Sequence, residues 1–359
     1  MSGRTALRTE PHFTFTFTSK RTQAAWKDEL ASPCCGVPIP VYSFWTATIL
    51  RPMAGPRIAS LLPSATEIVC ALGCAEYLVA RSHECDYPAS VQGVEVCTKS
   101  RIDGGAPSRE IDEQVKKFSA DSLSLFEIDA ARLRELKPTH FFTQAQCDVC
   151  AVSESEVADI FGAEHGDAPK IVSLSPTRFP HLWENITEVA DALGVSFDGK
   201  QLLKDLKMKC VEVIERAAVA TRKPKVLCLE WLDPLMGAGN WIPDMVGMAG
   251  GENLVSESGK HSGWITIDDI AAANPDVIVL MPCGFDLPRT LEEVKMLEQH
   301  PQWKKLKAVK KRRVFATDGS AFFNRPGPRL VDSLQILGEM FYPGMIVFGH
   351  EMKHWKPVY

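Results

Sequence analysis

The chain has 359 residues, 45% of them hydrophobic and 24% charged, a globular composition with length for two domains of ordinary size. Lys and Arg number 40 against 45 Asp and Glu, a formal charge of −5, so there is no basic footprint for nucleic acid. No apolar run reaches the ~18 residues of a membrane-spanning helix.

Cysteine usage narrows the reading further. The 11 cysteines are odd in number, and Cys70, Cys74, Cys210 and Cys228 fall inside apolar periodic segments, where they behave as small core hydrophobes rather than a disulfide framework. A chain of this size needs no staples, which points to a reducing compartment. The only basic clusters, Lys304-Lys305 and Lys310 to Arg313, read as a solvated face.

Residues 1–56 do not resemble the remainder of the chain. Phe13 to Thr18 alternates with period two but has no turn and partner strand nearby, and Pro33, Pro38 and Pro40 interrupt the apolar residues around them. There is no basic region followed by a continuous apolar core, so no secretory signal is recognised. This segment is expected to be a disordered or targeting extension outside the fold, with translation starting at Met1 or at Met53.

From residue 57 the pattern turns into alternating strands and helices. Arg57 to Leu62 reads as a buried strand ended by Pro63, and Ser64-Ala65-Thr66-Glu67 as a capping box before a short helix over Ile68 to Leu72. A second strand, Tyr77 to Ser82, delivers Arg81-Ser82-His83-Glu84-Cys85-Asp86-Tyr87-Pro88. Strand, helix, strand in this order argues for a parallel α/β unit, whose ligands bind at the carboxyl ends of the strands. A polar stretch from Gly93 to about Ser124 reads as a surface loop and helix with little core. His140 to Thr143 is the next strand, with Gln146, Cys147 and Cys150 just beyond it. Cys147-x-x-Cys150 stands before a second capping box, Ser153 to Glu156, where a helix dipole lowers a thiol pKa. The pair suits redox chemistry, a soft metal, or simply two thiols in a loop. Lys170 to Leu174 closes a first lobe spanning 57–180.

Helical spacing over Trp183 to Leu193 and again over Gln201 to Ala220 supplies connecting helices, assigned to 181–222. The second helix is long enough to bridge two lobes. A second lobe, 223–342, repeats the first, with a strand at Val226 to Glu230, a helix behind Pro243, a helix-to-strand unit through Asn274-Pro275 that echoes Leu133 to Pro138, and a strand at Arg313 to Thr317. Gly237 and Gly239 lack the remainder of a phosphate loop. Residues 343–359 read as a peripheral tail.

These residues resemble a known family. The strand, Pro63-Ser64-Ala65-Thr66-Glu67, the helix and the strand ending at Asp86-Tyr87-Pro88 resemble the opening of the substrate-binding proteins of cobalamin and iron-chelate uptake. Gly250 to Leu254 and Asn274-Pro275-Asp276 fit as well, and the match covers about 57–342. The chain is most similar to a branch carrying Ser-His-Glu-Cys-Asp-Tyr-Pro, Cys-x-Val-Cys, Glu-Trp-Leu-Asp-Pro, Pro-Cys-Gly-Phe-Asp and Asn-Arg-Pro-Gly-Pro-Arg, each unbroken here. The resemblance implies two Rossmann-like α/β lobes with parallel sheets, joined by one long helix in the manner of class III periplasmic binding proteins. It also implies a corrinoid such as cobalamin, a haem-like molecule or an iron chelate in the cleft between them, and a membrane permease as partner. The absent export signal and the thiols set this chain apart from periplasmic delivery, and a cytoplasmic or organellar monomer without catalytic activity is expected.

The expected ligand-binding residues are His83, Glu84, Cys85, Asp86, Tyr87, Gln146, Glu230, Trp231, Trp241, Phe285, Asp286, Asn324 and Arg325, all near strand ends. Trp231 and Trp241 suit stacking on a planar ligand, with core packing as the alternative for each. Glu84 and Glu230 suit acceptors for ligand amides better than an acid–base pair. Arg325 can clamp a carboxylate, and Arg329 reads as a surface helix position. The alternative to a binder is a metal- or thiol-dependent enzyme on the same fold, with Cys85, Cys147, Cys150 and Cys283 holding the metal.

Overall fold

The strand β1 (Ile58–Ser60) is buried at every position, as a strand covered by helices on both faces must be. The computed structural model describes residues 23–31, 55–120, 124–144, 159–161 and 169–359. In the first lobe β1 lies between β2 (Leu78–Arg81) and β5 (His140–Thr143), and β6 (Lys170–Ser173) closes the order β2-β1-β5-β6, all parallel. A separate antiparallel ribbon, β3 (Thr98–Ser100) and β4 (Phe126–Ile128), brackets helix α3 (Ser108–Ala120).

Helix α2 (Pro63–Ala71) departs from the capping-box expectation. Pro63 opens the helix, Leu62 is its N-cap without a side-chain bond, and Ser64 Oγ is buried with no hydrogen-bond partner. Proline at the first helical position brings a preset φ and no orphan N–H, so the box is not needed there. The Glu67 carboxylate instead accepts from Arg329 of the second lobe. Helix α4 (Ala130–Leu136) is capped by Asp129.

The connection is two helices, α5 (His181–Ala192) and α6 (Ser196–Ala218). The 23 residues of α6 span about 34 Å. It starts earlier than its apolar spacing suggested because Gly199 lies inside it. A Cβ there would come within 2.5 Å of the Ala190 Cβ, so the glycine permits close approach of α5 and breaks nothing. The inner face of α6, including Leu206, Cys210 and Ile214, belongs to one apolar core that runs from Ile58 and Ile68 to Leu334 and Leu337.

The second lobe is centred on β7 (Lys225–Leu232), which pairs in parallel with β11 (Val277–Leu280), itself parallel to β12 (Val314–Thr317). The edges differ from an all-parallel expectation. β8 (Leu235–Gly237), β10 (Gly263–Trp264) and β13 (Trp355–Pro357) are antiparallel, while β9 (Glu252–Asn253) adds to β7 in parallel. Helices α7 (Ile242–Met248), α8 (Ile267–Ala273), α9 (Leu287–Glu298), α10 (Lys307–Lys310), α11 (Gly319–Phe322) and α12 (Leu330–Phe341) complete it.

Two described segments assigned to the extension and the tail pack on the fold. β13 extends the second sheet, and Trp355, 1% exposed, donates its indole N–H to Glu339 at 2.7 Å. Glu339 also accepts the backbone N–H groups of Phe348, Gly349 and His350. Burial raises its carboxyl, but these four donors outweigh burial and hold it below the usual carboxylate range. At the other end α1 (Gln23–Ala31) buries Trp26 and Leu30 against the core, so the first 56 residues do not lie wholly outside the fold. Lys310, Lys311 and Arg312 are exposed as read, whereas Arg313 donates to the Met340 and Phe341 carbonyls that end α12.

Candidate ligand-binding site

The loop after β2 is shaped by Arg81. Its buried guanidinium donates to the carbonyls of Val94, Cys85 and Gln92, folding residues 82–94 around itself. His83 is half-buried, with its ring 5.3 Å from Phe126 and Nδ1 2.6 Å from Thr98 Oγ1. Burial lowers its pKa. Glu84 is open to water yet surrounded by protein, the combination a concave surface produces. Burial pushes its carboxyl up, Arg325 opposes this and Asp86 adds to it. Cys85 turns inward and is 1% exposed, accepting from Thr66 Oγ1 at 3.0 Å. Burial pushes its thiol up to about 11, so it is a protonated core group at neutral pH and not a thiolate on the lip. Asp86 and Tyr87 face outward, towards the second lobe.

The second lobe divides the expected residues in two. Glu230 accepts from Ser262 Oγ at 2.6 Å and from the Gly239 backbone, and burial pushes its carboxyl up. Trp231 packs on Phe285 with ring centroids 5.1 Å apart, and both are nearly buried. Trp241 is not at the cleft. It sits in the main core with its indole N–H on the Phe323 carbonyl, the packing role that competes with stacking for any Trp. Asp286 is an exposed helix cap, accepting the Arg289 N–H at 2.8 Å. The Asn324 amide ties its loop to the carbonyls of Met281 and Gly319, a bracing role. Cys283 is exposed. Gln146, Cys147, Cys150 and the second capping box lie outside the described residues. Among the described residues no three His, Cys, Asp or Glu side chains converge on a point that can hold a metal ion.

Two seams join the lobes across this region. In the inner seam Arg329, the residue before α12, donates to both oxygens of Glu67 on α2, at 3.0 and 2.5 Å. The side chains are 11% and 3% exposed, and the guanidinium also lies 4.2 Å above the Tyr87 ring. Gly327 fits beneath, where a Cβ would stand 3.2 Å from Glu67 Oε2. Beside it Arg325 makes a bidentate pair with Asp86. In the outer seam α3 docks on the second lobe. Ala106 and Ile111 close a small apolar cluster with Trp231 and Phe285. Arg109 pairs with Asp233 at 3.0 and 2.5 Å, and Ser108 donates to Glu293 at 2.6 Å.

Sequence reasoning missed Arg109 and Asp233, and it read Arg329 as a surface helix position, whereas its side chain is largely buried in the pair with Glu67, itself read as part of a capping box. A signal existed for Glu67: once Pro63 opens the helix, an acidic residue amid buried neighbours needs a cation. A cavity of about 730 Å³ lies elsewhere, against β6, α5 and α6, and none of the strand-end residues lines it.

The model of the family described as Periplasmic binding protein matches residues 58–321. The chain belongs to that family. It is similar to the uncharacterized ABC transporter substrate-binding lipoprotein YvrC of Bacillus subtilis (strain 168), at 23% identity over 298 residues and 80% of each chain. The apo form of the periplasmic heme-binding protein RhuT from Roseiflexus sp. RS-1 aligns with a TM-score of 0.61 and 24% identity, over 81% of this chain and 100% of its own. The periplasmic vitamin B12 binding protein BtuF of Vibrio cholerae aligns with a TM-score of 0.58 and 19% identity, over 80% and 96%.

Membership corrects the expected location. A family of periplasmic proteins with a lipoprotein relative stands against a cytoplasmic or organellar protein. The thiol argument fails on burial: among the described residues only Cys283 is an exposed cysteine. Cysteines that fill a core need no reducing compartment. This periplasmic binding protein is therefore a ligand binder, and the strand ends of its two lobes are joined by the ion pairs Asp86–Arg325 and Glu67–Arg329.

Proposed function

We propose that this periplasmic binding protein holds a corrinoid, haem-like or iron-chelate ligand between its lobes and presents it to a membrane permease. The observation that carries this reading is Arg325. It stands at the strand ends, its charge held by the exposed Asp86, while the adjacent Arg329 is committed to buried Glu67. The Arg325 side chain is as buried as that of Arg329, but its partner Asp86 is 56% exposed and returns to water when a ligand carboxylate such as a haem propionate or a chelator acid takes over the planar fork and keeps the buried charge paired. Trp231 and Phe285 supply the aromatic wall beside it. RhuT and BtuF, which share the fold, are described as binding heme and vitamin B12.

Entry of such a ligand parts the outer seam and the Asp86–Arg325 pair, leaving the inner seam as the pivot. The test is a titration with hemin, aquocobalamin and a ferric siderophore, following Trp fluorescence. Saturable quenching at one ligand per chain by one of the three is the expected result. Absence of quenching by all three sinks the reading. Replacing Arg325 with Ala is expected to weaken the bound ligand about ten-fold or more, the scale of a charge-assisted hydrogen bond to a carboxylate.

A further inference from the structure

We propose that the face of the second lobe at the amino ends of β7, β11 and β12 is a docking surface for an anionic phospholipid membrane, which its lysines and arginines attract through diffuse electrostatics. The inference stands apart from the question of which ligand the cleft takes.

The sequence supplies the charge in two places. Seven of the 15 residues from 299 to 313 are Lys or Arg and none is Asp or Glu, while Arg222, Lys223 and Lys225 stand where β7 begins. The sheet brings the two stretches together. β7, β11 and β12 are parallel neighbours starting at the same end, so the starts of β7 and β12 are about 10 Å apart. Asp276, just before β11, lies between them. It pairs with Lys307 at 2.6 Å and Arg222 at 3.3 Å and accepts the Lys225 N–H at 3.1 Å. Burial raises its carboxyl, but Lys307, that N–H and Arg222 outweigh burial and hold it below the usual carboxylate range. Glu252 borders the face across β9.

The remaining cations are unpaired and rigidly mounted. Lys304, Lys305, Lys310, Lys311 and Arg312 are exposed and make no ion pair among the described residues. Trp303, Leu306 and Ala308 anchor the turns that carry them, each at most 5% exposed. On a chain of formal charge −5, this concentration makes one face positive against the rest of the surface.

The chemistry of the face selects its partner. Lysines, point charges on flexible stems, outnumber arginines, and no aromatic ring is exposed in residues 221–226 or 299–313. Single-stranded nucleic acid binds on exposed rings, and a specific protein interface has a core depleted in Lys. A charged bilayer asks for neither: it responds to the number of cations brought within a Debye length of its surface. Cys283 and Asp318 follow the opposite, carboxyl ends of β11 and β12, and the eight residues of β7 span about 26 Å. A molecule lying on this face therefore turns its strand-end loops away from the membrane.

The test is co-sedimentation of the whole chain with vesicles of phosphatidylcholine containing about one-third phosphatidylglycerol, against vesicles of phosphatidylcholine alone. Wild type is expected to bind the anionic vesicles at about 0.05 M salt, to leave them at about 0.3 M, and to ignore the neutral ones. Lys304→Gln, Lys310→Gln and Lys311→Gln together are expected to weaken binding about a hundred-fold, about five-fold for each cation. Lys200→Gln, Lys204→Gln and Lys209→Gln, at exposed positions of α6, change the net charge equally and are expected to leave binding almost unchanged. Equal weakening by the two triple variants overturns the proposal, since net charge alone would then be at work. So does wild-type binding that is absent at low salt, indifferent to salt, or equal on neutral vesicles. A short DNA duplex bound more tightly than the anionic vesicles at the same salt, and lost in the first triple variant, assigns the face to nucleic acid and overturns it as well. The cleft titrations above read the other end of the molecule, so failure here leaves the functional reading untouched.

Discussion

The inner and outer seams join the same two lobes with different physics. In the inner seam the Glu67 and Arg329 side chains are 3% and 11% exposed, beneath an aromatic ring and beside a glycine that leaves room for them. Both rest on the linking helices, since α2 packs on α5 and α12 on α6. In the outer seam Arg109 is 63% exposed and its partner Asp233 22%. A buried pair is costly to break, because the survivor is left charged and dry, whereas an exposed pair exchanges readily with water. One seam is therefore built to persist and the other to open.

Substitutions test this contrast, and the largest effect is expected at Glu67. Glu67→Ala strands Arg329 and should cost about 3–5 kcal/mol in denaturant unfolding. Glu67→Leu with Arg329→Met should recover most of that, because an apolar pair of similar volume removes the desolvation penalty as well. A Glu67→Ala loss below about 1 kcal/mol would make the two seams equivalent and end the distinction. Arg325→Ala comes next, at about 1 kcal/mol, since Asp86 is 56% exposed and is rehydrated when its partner leaves. Arg109→Ala should cost less than about 1 kcal/mol while raising the open fraction seen by small-angle scattering. An unchanged scattering profile there, with lost stability, would make the outer seam structural.

The smallest effect is a pH dependence. Burial lowers the His83 pKa, so between the folded value and the unfolded value near 6.5 the unfolded chain binds more protons. The stability this group contributes is complete above about pH 6.5 and is lost as pH falls through the lowered folded value. His83→Gln should lose less stability than wild type on going from pH 7 to pH 5. His140 and His350 are shifted in the same direction but are common to both proteins, so the difference isolates His83. Equal losses would mean that the ring is as hydrated as in the unfolded chain.

Much of this architecture is written in short-range patterns. The strands over 58–60, 140–143 and 277–280 are short apolar runs, and reading them needs no distant residue. The helix start at Ser196 was not legible, because Gly199 looks like a breaker until Ala190 is seen against it. The tail was not legible either: Trp355 is one aromatic among polar residues until Glu339 is found beneath it.

Of the candidate site, the sequence alone determined which loops stand at the strand ends, since strand order and loop chemistry are local properties. It did not distinguish Trp231 from Trp241, two indoles in similar surroundings. Tertiary packing placed the first in the outer seam and the second in the core. Nor did it join Glu67 to Arg329, which are 262 residues apart. Periodicity records which face of an element is dry. Which cation meets which carboxylate across a cleft depends on how two lobes dock, and only the folded chain decides that.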